Sequence, residues 1–213
     1  MNTAPRPWLI RPARLADVPR LAALDAAAFG PEAWPAAFLV EELTAPDRRY
    51  FAAEATGPPA EPAERDPAQT TAAVAVAVAA GTPAERPAGT AAQDSTGGSA
   101  GGSAGPLVGY AGIRLARRAE IMSIAVDAPS RGRGIGRALM ETLLAQARAA
   151  GVARVRLTVA EGSAAAIALY QSLGFGIQGR VPGYYPAARR DGIIMELRAD
   201  GLGRPTPRPR SRP

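Results

Sequence analysis

The sequence predicts an α/β fold built around one mixed sheet. Three observations support this prediction. Short runs of alternating apolar residues, typical of strands, recur along the chain, and between them lie stretches with apolar residues every three to four positions, typical of helices. A third is the stretch 121–147, in which an apolar strand, a turn rich in glycine and arginine, and an amphipathic helix follow one another directly.

The first third of the chain contains two strands and two helices by these criteria. One strand begins at Trp8, and a second covers residues 49–55. Between them, one helix opens at Asp17 and another at Trp34-Pro35, because each place combines a helix-starting residue with apolar residues at helical spacing. This part of the chain is therefore predicted to fold as a strand–helix–helix–strand unit.

The rest of the chain contributes four more strands and two more helices. The strands are expected at residues 107–113, 121–126, 155–159 and 193–197. One helix begins at Ile135, and another follows Ser163, whose hydroxyl can cap it. Six strands and four helices are enough for a single domain, which we assign to residues 1–199.

Residues 57–106 differ abruptly from their surroundings. They are rich in proline, alanine, glycine, serine and threonine and end in G-G-S-A-G-G-S-A-G before Pro106. Such a composition buries too little apolar surface to offset the entropy of ordering, so we expect a flexible low-complexity insert at the tip of a hairpin. Alternating valine and alanine within residues 70–80 leave open a weak edge strand. Residues 200–213 form a Pro/Arg tail that we expect to be disordered.

The composition excludes several kinds of chemistry. The chain has no cysteine and no histidine, which excludes disulfides, a thiol nucleophile, the usual zinc sites and a histidine general base, so no metal is expected. The net charge is +6, and every basic residue is arginine, partly clustered in the tail. Because this skew also follows from genome composition, it is weak evidence for a nucleic-acid partner. Without a secretory signal or an apolar run of about 18 residues, we expect a cytoplasmic protein with no membrane contact.

The turn after the strand at 121–126 is suited to a phosphate. Glycines at 132, 134 and 136 allow the backbone to approach a ligand closely, and the first amides of the following helix attract an anion. The spacing G-x-G-x-G is not the dinucleotide pattern G-x-G-x-x-G, and no Gly-Lys-Ser/Thr of an NTPase loop follows. An ordinary strand-to-helix connection remains the alternative.

Several motifs, taken in order, resemble the GNAT superfamily of acetyl-CoA-dependent N-acetyltransferases. They are R-G-R-G-I-G and, further along, A-A-A-I-A-L-Y-Q-S-L-G-F. The stretches A-W-P-A-A-F-L-V-E-E-L, I-A-V-D and G-Y-Y-P are similar to the RimI-type enzymes, which acetylate the N-terminal alanine of a ribosomal protein. The resemblance covers residues 8–197 apart from the insert. It implies a GNAT-like mixed, mostly antiparallel central sheet flanked by helices.

The resemblance also implies a set of residues that bind acetyl-CoA, the acetyl donor. The backbone of the strand before the turn would lie beside the pantetheine arm, at Ile124, Ala125 and Val126. The turn and helix start would hold the pyrophosphate, through Arg131, Gly132, Arg133, Gly134, Ile135, Gly136 and Arg137. Ser163 stands where the family usually has an asparagine that contacts the cofactor.

Tyr170 matches the family's general acid, which protonates the departing thiolate. Its helical spacing alone would instead indicate a core residue. The family's usual glutamate base is replaced by Thr158, which cannot accept a proton at neutral pH. Glu120 and Glu161 are the alternative bases, acting through water. A weak base is tolerable, because a protein α-amine has a pKa of about 7.7–8.0, against about 10.4 for lysine.

The acceptor groove is expected to lie between the loop carrying Tyr184 and Tyr185 and the second helix with Trp34 and Phe38, next to Thr158. The resulting prediction is transfer of acetyl to a protein N-terminus, with a ribosomal protein as partner. Three alternatives remain open at this point: acetylation of a small amine or of lysine, an acyl-CoA-binding protein without activity, and an RNA-binding module that uses the arginines of the tail.

Overall fold

The computed structural model describes residues 7–56 and 105–198, and within these ranges it contains seven strands and four α-helices. In chain order they are β1 (Trp8–Pro12), α1 (Val18–Phe29), α2 (Ala36–Thr44), β2 (Arg48–Ala55), β3 (Leu107–Arg114), β4 (Ala119–Val126), α3 (Ile135–Ala149), β5 (Arg154–Ala160), α4 (Ala164–Ser172), β6 (Gly176–Tyr185) and β7 (Arg190–Arg198). The strands form one sheet in the order β1-β2-β3-β4-β5-β7-β6. All neighbouring pairs are antiparallel except β4 and β5, so the predicted mixed α/β fold is confirmed.

The parallel pair β4–β5 is joined only at its beginning. Ala119 pairs with Val155 and Glu120 with Arg156, and beyond these two positions the strands separate. The backbone of β4 from Ile121 to Val126 therefore has no strand partner on its β5 side within the described residues. This separation opens a cleft in the middle of the sheet.

Helices cover the two faces of the sheet unequally. One face carries α3 and α4 and the larger apolar core, to which Leu139, Leu143 and Tyr170 belong. The other face carries α1, packed mainly on β3 and β4, and α2, packed mainly on β2, around Leu21 and Leu39. Among the described residues, neither α1 nor α2 packs extensively on β5, β7 or β6.

One strand was not expected from the sequence. Tyr184 and Tyr185, predicted to lie on a loop, are instead the last residues of β6. This strand lies at the edge of the sheet, is mostly exposed, and is interrupted by Gly179, Pro182 and Gly183, so it lacks the apolar alternation by which strands are recognised. The predicted strand count of six was therefore wrong, whereas the other elements begin and end within a few residues of their expected positions.

Residues 57–104 connect β2 to β3, which are antiparallel neighbours in the sheet. The predicted insert, except for Gly105 and Pro106, and the predicted tail lie outside the described residues, as does the valine–alanine run. At the base of the connection, the Gly105 amide donates to Glu54 Oε1 at 2.9 Å and Ala55 N donates to Pro106 O at 3.0 Å. Among the described helices, none is both long and apolar enough to cross a membrane.

Candidate functional site

The turn between β4 and α3 has a backbone that only glycine adopts easily. Gly132 and Gly134 have φ angles of +74° and +80°, in the left-handed region. Gly134 is the N-cap of α3 and offers no side chain to the first amides of that helix. These amides therefore remain available to a ligand at the positive end of the helix dipole.

A cavity of about 220 Å³ lies beside this turn, and we call it the donor cavity. It is lined by Val126, Ser130, Arg131, Gly132, Gly134, Ile135, Gly136, Arg137 and Leu169. Seven of the residues predicted to bind a cofactor thus meet in one cavity, whereas the exposed Arg133 does not line it. Ser130 and Leu169 were missed, because nothing in their local sequence distinguishes them from ordinary turn and helix residues.

Two arginines bring positive charge to the donor cavity. Arg131 Nε donates to Val126 O at 3.1 Å, which fixes the end of β4 to the turn, and burial lowers the pKa of Arg131 from its usual value. Arg137 Nη2 donates to Ser172 Oγ at 2.6 Å, which joins α3 to α4. Both arginines line the donor cavity and are positioned to attract an anion.

The strand β4 contains an irregularity that the sequence did not reveal. Gly112 and Ile113 of β3 pair with Ser123 and Ile121, so Met122 is an extra residue in β4. Such a bulge redirects side chains and increases the local twist, and bulges are common next to active sites. Here the bulge precedes Ile124 and Ala125, which are buried within the part of β4 that faces the cleft.

Tyr170 lies fully buried on α4, directly after Leu169 of the donor cavity. Its Oη has no hydrogen-bond partner within the described part of the chain. Burial, with a smaller contribution from Tyr185, raises the pKa of Tyr170 well above its usual value, so the phenol stays protonated. A buried hydroxyl without a partner costs about 1–3 kcal/mol, and a bound ligand could supply that partner.

The two tyrosines at the end of β6 pack against the last residue of β5, Ala160. Tyr185 Oη donates to Thr158 O at 3.1 Å, and the rings of Tyr184 and Tyr185 lie edge to face with centroids 5.0 Å apart. Thr158 itself is buried, and a Cβ at Gly192 would lie 2.7 Å from its Cγ2. The close packing explains why β7 carries a glycine beside Thr158.

The connection between α1 and α2 is anchored by a buried carboxylate, Asp25. Its Oδ2 accepts a hydrogen bond from Trp34 N at 2.5 Å, and its Oδ1 accepts one from Tyr110 Oη. Tyr110 Oη is also 2.9 Å from Ser123 Oγ in β4. Sequence reasoning missed this network, because a single aspartate inside a helix resembles a surface residue. Trp34 is buried in the core, whereas its neighbour Phe38 is half-buried.

A second carboxylate, Glu32, joins the α1–α2 connection to the turn between β6 and β7. Its Oε1 accepts hydrogen bonds from Ala187 N at 2.8 Å and Ala188 N at 3.3 Å. The two segments that were expected to form opposite walls of an acceptor groove are therefore in direct contact. Their separation of 155 residues explains why the sequence did not indicate this contact.

The two candidate bases occupy different environments. Glu120 lies where β4 and β5 separate, and its Oε2 is 2.6 Å from Arg114 Nη2. Glu161 follows the end of β5, and its half-exposed carboxylate is 2.9 Å from Arg180 Nη2.

Ser163 precedes α4, but its hydroxyl makes no capping hydrogen bond. Instead, Arg190 Nη2 approaches Ser163 Oγ at 3.4 Å. The predicted side-chain cap was therefore wrong.

Comparison with known proteins places this chain among acetyltransferases. The [Ribosomal protein bS18]-alanine N-acetyltransferase of Escherichia coli K12 is 46% identical over 81 residues, which cover 37% of this chain and 55% of that protein. The N-alpha-acetyltransferase RimI of Mycobacterium tuberculosis is 46% identical over 94 residues, covering 42% and 58%. The chain thus spans little more than half the length of these relatives.

Two solved structures illustrate the fold that this chain shares with other proteins. The ribosomal-protein-S18-alanine N-acetyltransferase from Escherichia coli superimposes with a TM-score of 0.61 at 23% identity, covering 90% of this chain and 93% of that one. Arabidopsis thaliana NAA60 in complex with acetyl-CoA gives a TM-score of 0.62 at 16% identity, covering 91% and 99%. At these identities the likeness establishes the fold. Residues 24–175 match the acetyltransferase (GNAT) family, and the chain belongs to that family.

Proposed function

We propose that this protein transfers the acetyl group of acetyl-CoA to the α-amine of a protein N-terminus, with the N-terminal alanine of a ribosomal protein as the acceptor. The observation that carries this proposal is the buried Tyr170 hydroxyl, which has no hydrogen-bond partner among the described residues and belongs to the residue after Leu169 of the donor cavity. Family membership supports the acetyl transfer, and the known acceptors of the two relatives, as their names state them, support the choice of acceptor.

The residues of the donor cavity fit acetyl-CoA. The amides at the start of α3 and the guanidinium of Arg131 would hold its pyrophosphate, because they combine free donors with positive charge. The backbone of residues 121–126, which within the described residues has no strand partner on its β5 side, would bond the amides of the pantetheine arm. When bound, acetyl-CoA supplies an acetyl group activated as a thioester.

Two proton transfers would be handled by this chain's own residues. Tyr170 Oη would donate its proton to the sulfur that leaves, and its raised pKa keeps that proton in place until then. Glu120 would take a proton from the acceptor amine through water. We favour Glu120 over Glu161 because Glu120 lies at the point where β4 and β5 separate, whereas Glu161 is more exposed and lies beyond the end of β5.

The acceptor preference follows from the weakness of this base. An α-amine has a pKa of about 7.7–8.0, so a large fraction is neutral near pH 7.5, whereas a lysine amine at about 10.4 is almost fully charged. An enzyme with a threonine at position 158 and a glutamate held by Arg114 therefore suits an α-amine better than a lysine. Correct positioning against the thioester would supply much of the remaining acceleration.

The test is coenzyme A release by the full chain with acetyl-CoA and a panel of short peptides. The panel contains peptides that begin with Ala, Ser or Met, the same peptides with a blocked α-amine, and a blocked peptide with an internal lysine. We expect turnover on Ala-starting peptides that disappears when the α-amine is blocked. Transfer only to the internal lysine or to a small amine would contradict the proposal.

A second candidate is an acyl-CoA-binding protein without catalysis. It is favoured by one observation: Thr158 replaces the expected base, and both Glu120 and Glu161 are held in ion pairs. Titration calorimetry with acetyl-CoA distinguishes the two candidates, since binding without turnover on every amine would favour the second.

A further inference from the structure

We propose that Asp25 is a positioning residue that, through Tyr110 and Ser123, fixes the bulge of β4 at the cleft and holds it at a set distance from the α1–α2 connection. This inference rests on the proposed function, because it assumes that the thioester of acetyl-CoA lies against β4. Asp25 is buried and would act on the reaction only through the elements that it holds.

The bulge places two consecutive side chains of β4 on the same face of the sheet. Ile121 and Ile124 belong to the core beneath α3 and α4, whereas Met122 belongs to the core beneath α1 and α2. Ser123 Oγ lies 3.4 Å from Asp25 Oδ1 on α1, so Ser123 also points to the face of α1. Neighbouring side chains alternate in a regular strand. Ser123 therefore carries a hydroxyl at the point where β4 departs from regular geometry.

A buried chain of hydrogen bonds leads from Ser123 to Asp25. Tyr110 Oη donates its only proton to Asp25 Oδ1. The Ser123 hydroxyl, 2.9 Å from Tyr110 Oη, therefore donates to that oxygen or to Asp25 Oδ1. Burial and the Asp25 carboxylate raise the pKa of Tyr110 well above its usual value, so the phenol stays a donor. Because all three side chains are buried, these hydrogen bonds define the position of Ser123.

The other oxygen of the same carboxylate holds a wall of the proposed acceptor groove. Asp25 Oδ2 accepts a hydrogen bond from Trp34 N at 2.5 Å. This amide lies two residues beyond Glu32, whose Oε1 accepts a hydrogen bond from Ala187 N in the β6–β7 turn. One carboxylate thus joins the α1–α2 connection to the bulge of β4. A fixed separation of the two would keep the acceptor amine and the thioester at the distance that the reaction requires.

The bulge directly precedes a part of β4 that the sheet holds weakly. Beyond Glu120, β4 has no strand partner on its β5 side within the described residues. On its other side, the pairing with β3 shifts between Gly112 and Ile113. The side-chain contacts of Ser123 therefore take over part of the positioning that regular strand pairing would give to the backbone of residues 124–126.

The experiment compares two variants of this network with a matched control. Tyr110→Phe and Ser123→Ala each remove one hydroxyl of the network. Tyr50→Phe removes the hydroxyl of another buried tyrosine on the same face, whose Oη donates to Glu42 Oε2 of α2 at 2.7 Å. We expect kcat for acetyl transfer to fall about tenfold in the two network variants, since a misplacement of about 1 Å can cost a factor of about 10². Tyr50→Phe should keep the kcat of the unmodified protein.

Three further measurements distinguish positioning from general destabilisation. The Kd for acetyl-CoA, measured by calorimetry, should stay unchanged, because the donor cavity lies in residues 126–137 and on Leu169. The midpoint of thermal unfolding should fall by a similar amount in Tyr110→Phe and Tyr50→Phe, since each loses a hydrogen bond to a buried carboxylate. Amide hydrogen exchange of residues 121–126 in the free protein should be faster in the two network variants than in Tyr50→Phe.

Asp25→Asn tests the link between the two sides. An amide has one acceptor oxygen in place of two, so it cannot serve both Trp34 N and Tyr110 Oη as the carboxylate does. We expect kcat to fall as in Tyr110→Phe and KM for the peptide to rise about threefold in addition. Circular dichroism checks that this variant is folded, and if it is not, Tyr110→Phe and Ser123→Ala decide the inference.

The outcomes separate this inference from the proposed function. A kcat in Tyr110→Phe and Ser123→Ala equal to that of Tyr50→Phe would overturn the inference alone. Loss of kcat in all three variants in proportion to their loss of thermal stability would also overturn it. Transfer only to a lysine or a small amine would contradict the proposed acceptor, and the same comparison with that amine would still decide the inference. Absence of transfer to any amine would overturn both.

Discussion

The proposed donor side and the proposed acceptor side of the β4–β5 cleft are built in different ways. The donor cavity comes almost entirely from one continuous run, residues 126–137, and its main features are backbone amides and glycine conformations. The acceptor side is assembled from side chains of distant segments, such as Glu32 and Tyr185, which tertiary contacts bring together. An acceptor site of this kind can change one side chain at a time without disturbing the donor site.

Substitutions on the two sides of the cleft should also differ in how they affect stability and function. On the donor side, the unusual glycine conformations are needed to shape the turn, so changes there should affect both folding and donor binding. On the acceptor side, hydrogen bonds such as those of Glu32 connect elements that each have their own place in the fold. Changes there should alter the geometry of the groove more than the stability of the sheet.

The largest effect is expected at Tyr170, which lies between the two sides. Tyr170→Phe should lower kcat by about 10²–10³, within the range typical of general acids. The affinity for acetyl-CoA, measured by calorimetry, should stay unchanged. Thermal stability should not fall, because the deleted hydroxyl is buried and has no partner among the described residues.

Tyr50→Phe is the matched control for that variant. Tyr50 is also buried, but its Oη donates to Glu42 Oε2 at 2.7 Å, away from the cleft. Its loss should cost about 1.5–3 kcal/mol of unfolding free energy and leave kcat near that of the unmodified protein. Unchanged kcat in Tyr170→Phe would remove Tyr170 from the proposed chemistry.

The next largest effect concerns the donor side. Gly134→Ala forces a side chain into a left-handed conformation and should raise KM for acetyl-CoA about tenfold, equivalent to ~1.4 kcal/mol. Gly151→Ala introduces the same conflict, at φ +67°, after the end of α3 and away from the donor cavity. Both variants should lose about 1–2 kcal/mol in urea unfolding.

Only Gly134→Ala should change the KM for acetyl-CoA. A similar rise in KM in Gly151→Ala would mean that general destabilisation, and not the shape of the turn, determines donor binding.

A smaller effect is expected on the acceptor side. Glu32→Ala removes the acceptor of two amide hydrogen bonds and should raise KM for the peptide about three- to tenfold, equivalent to ~0.7–1.4 kcal/mol. KM for acetyl-CoA should stay constant. Glu32→Gln retains an oxygen that can accept from the same amides and should restore most of the affinity. Steady-state kinetics with each substrate varied in turn would detect the difference, and a rise in both KM values would contradict a role confined to the groove.

The smallest effect is a feature of the pH profile. Raising the pH through about 7.7–8.0 deprotonates the α-amine, so kcat/KM should increase across this range and then level off. Tyr170 acts in its protonated form, and since burial raises its pKa, activity should not decline below about pH 10. Chromatographic measurement of the acetylated peptide avoids the pH dependence of thiol reagents. A decline that begins below pH 9 would argue against Tyr170 as the proton donor.

Much of the structure on the donor side could be predicted from the sequence. Glycines at fixed positions after an apolar strand and before an amphipathic helix indicate the turn, because backbone conformation depends on the residue itself and its nearest neighbours. The same local patterns predicted β4, β5 and α3 to within two residues. They also placed Tyr170 on the inward face of α4, although only the structure showed that its hydroxyl has no partner among the described residues.

The contacts on the acceptor side depend on tertiary structure and could not be predicted from local sequence. In the sequence, Asp25 and Glu32 look like ordinary polar residues. In the structure, the carboxylate of Asp25 accepts a hydrogen bond from Tyr110, and that of Glu32 accepts one from Ala187. Both partners lie far away along the chain. The edge strand β6 lacked an apolar alternation because most of it faces solvent. Local sequence thus determined the elements and the donor turn, since these depend on short-range backbone preferences. The acceptor groove depends on which distant side chains meet, and only packing of the whole domain sets that.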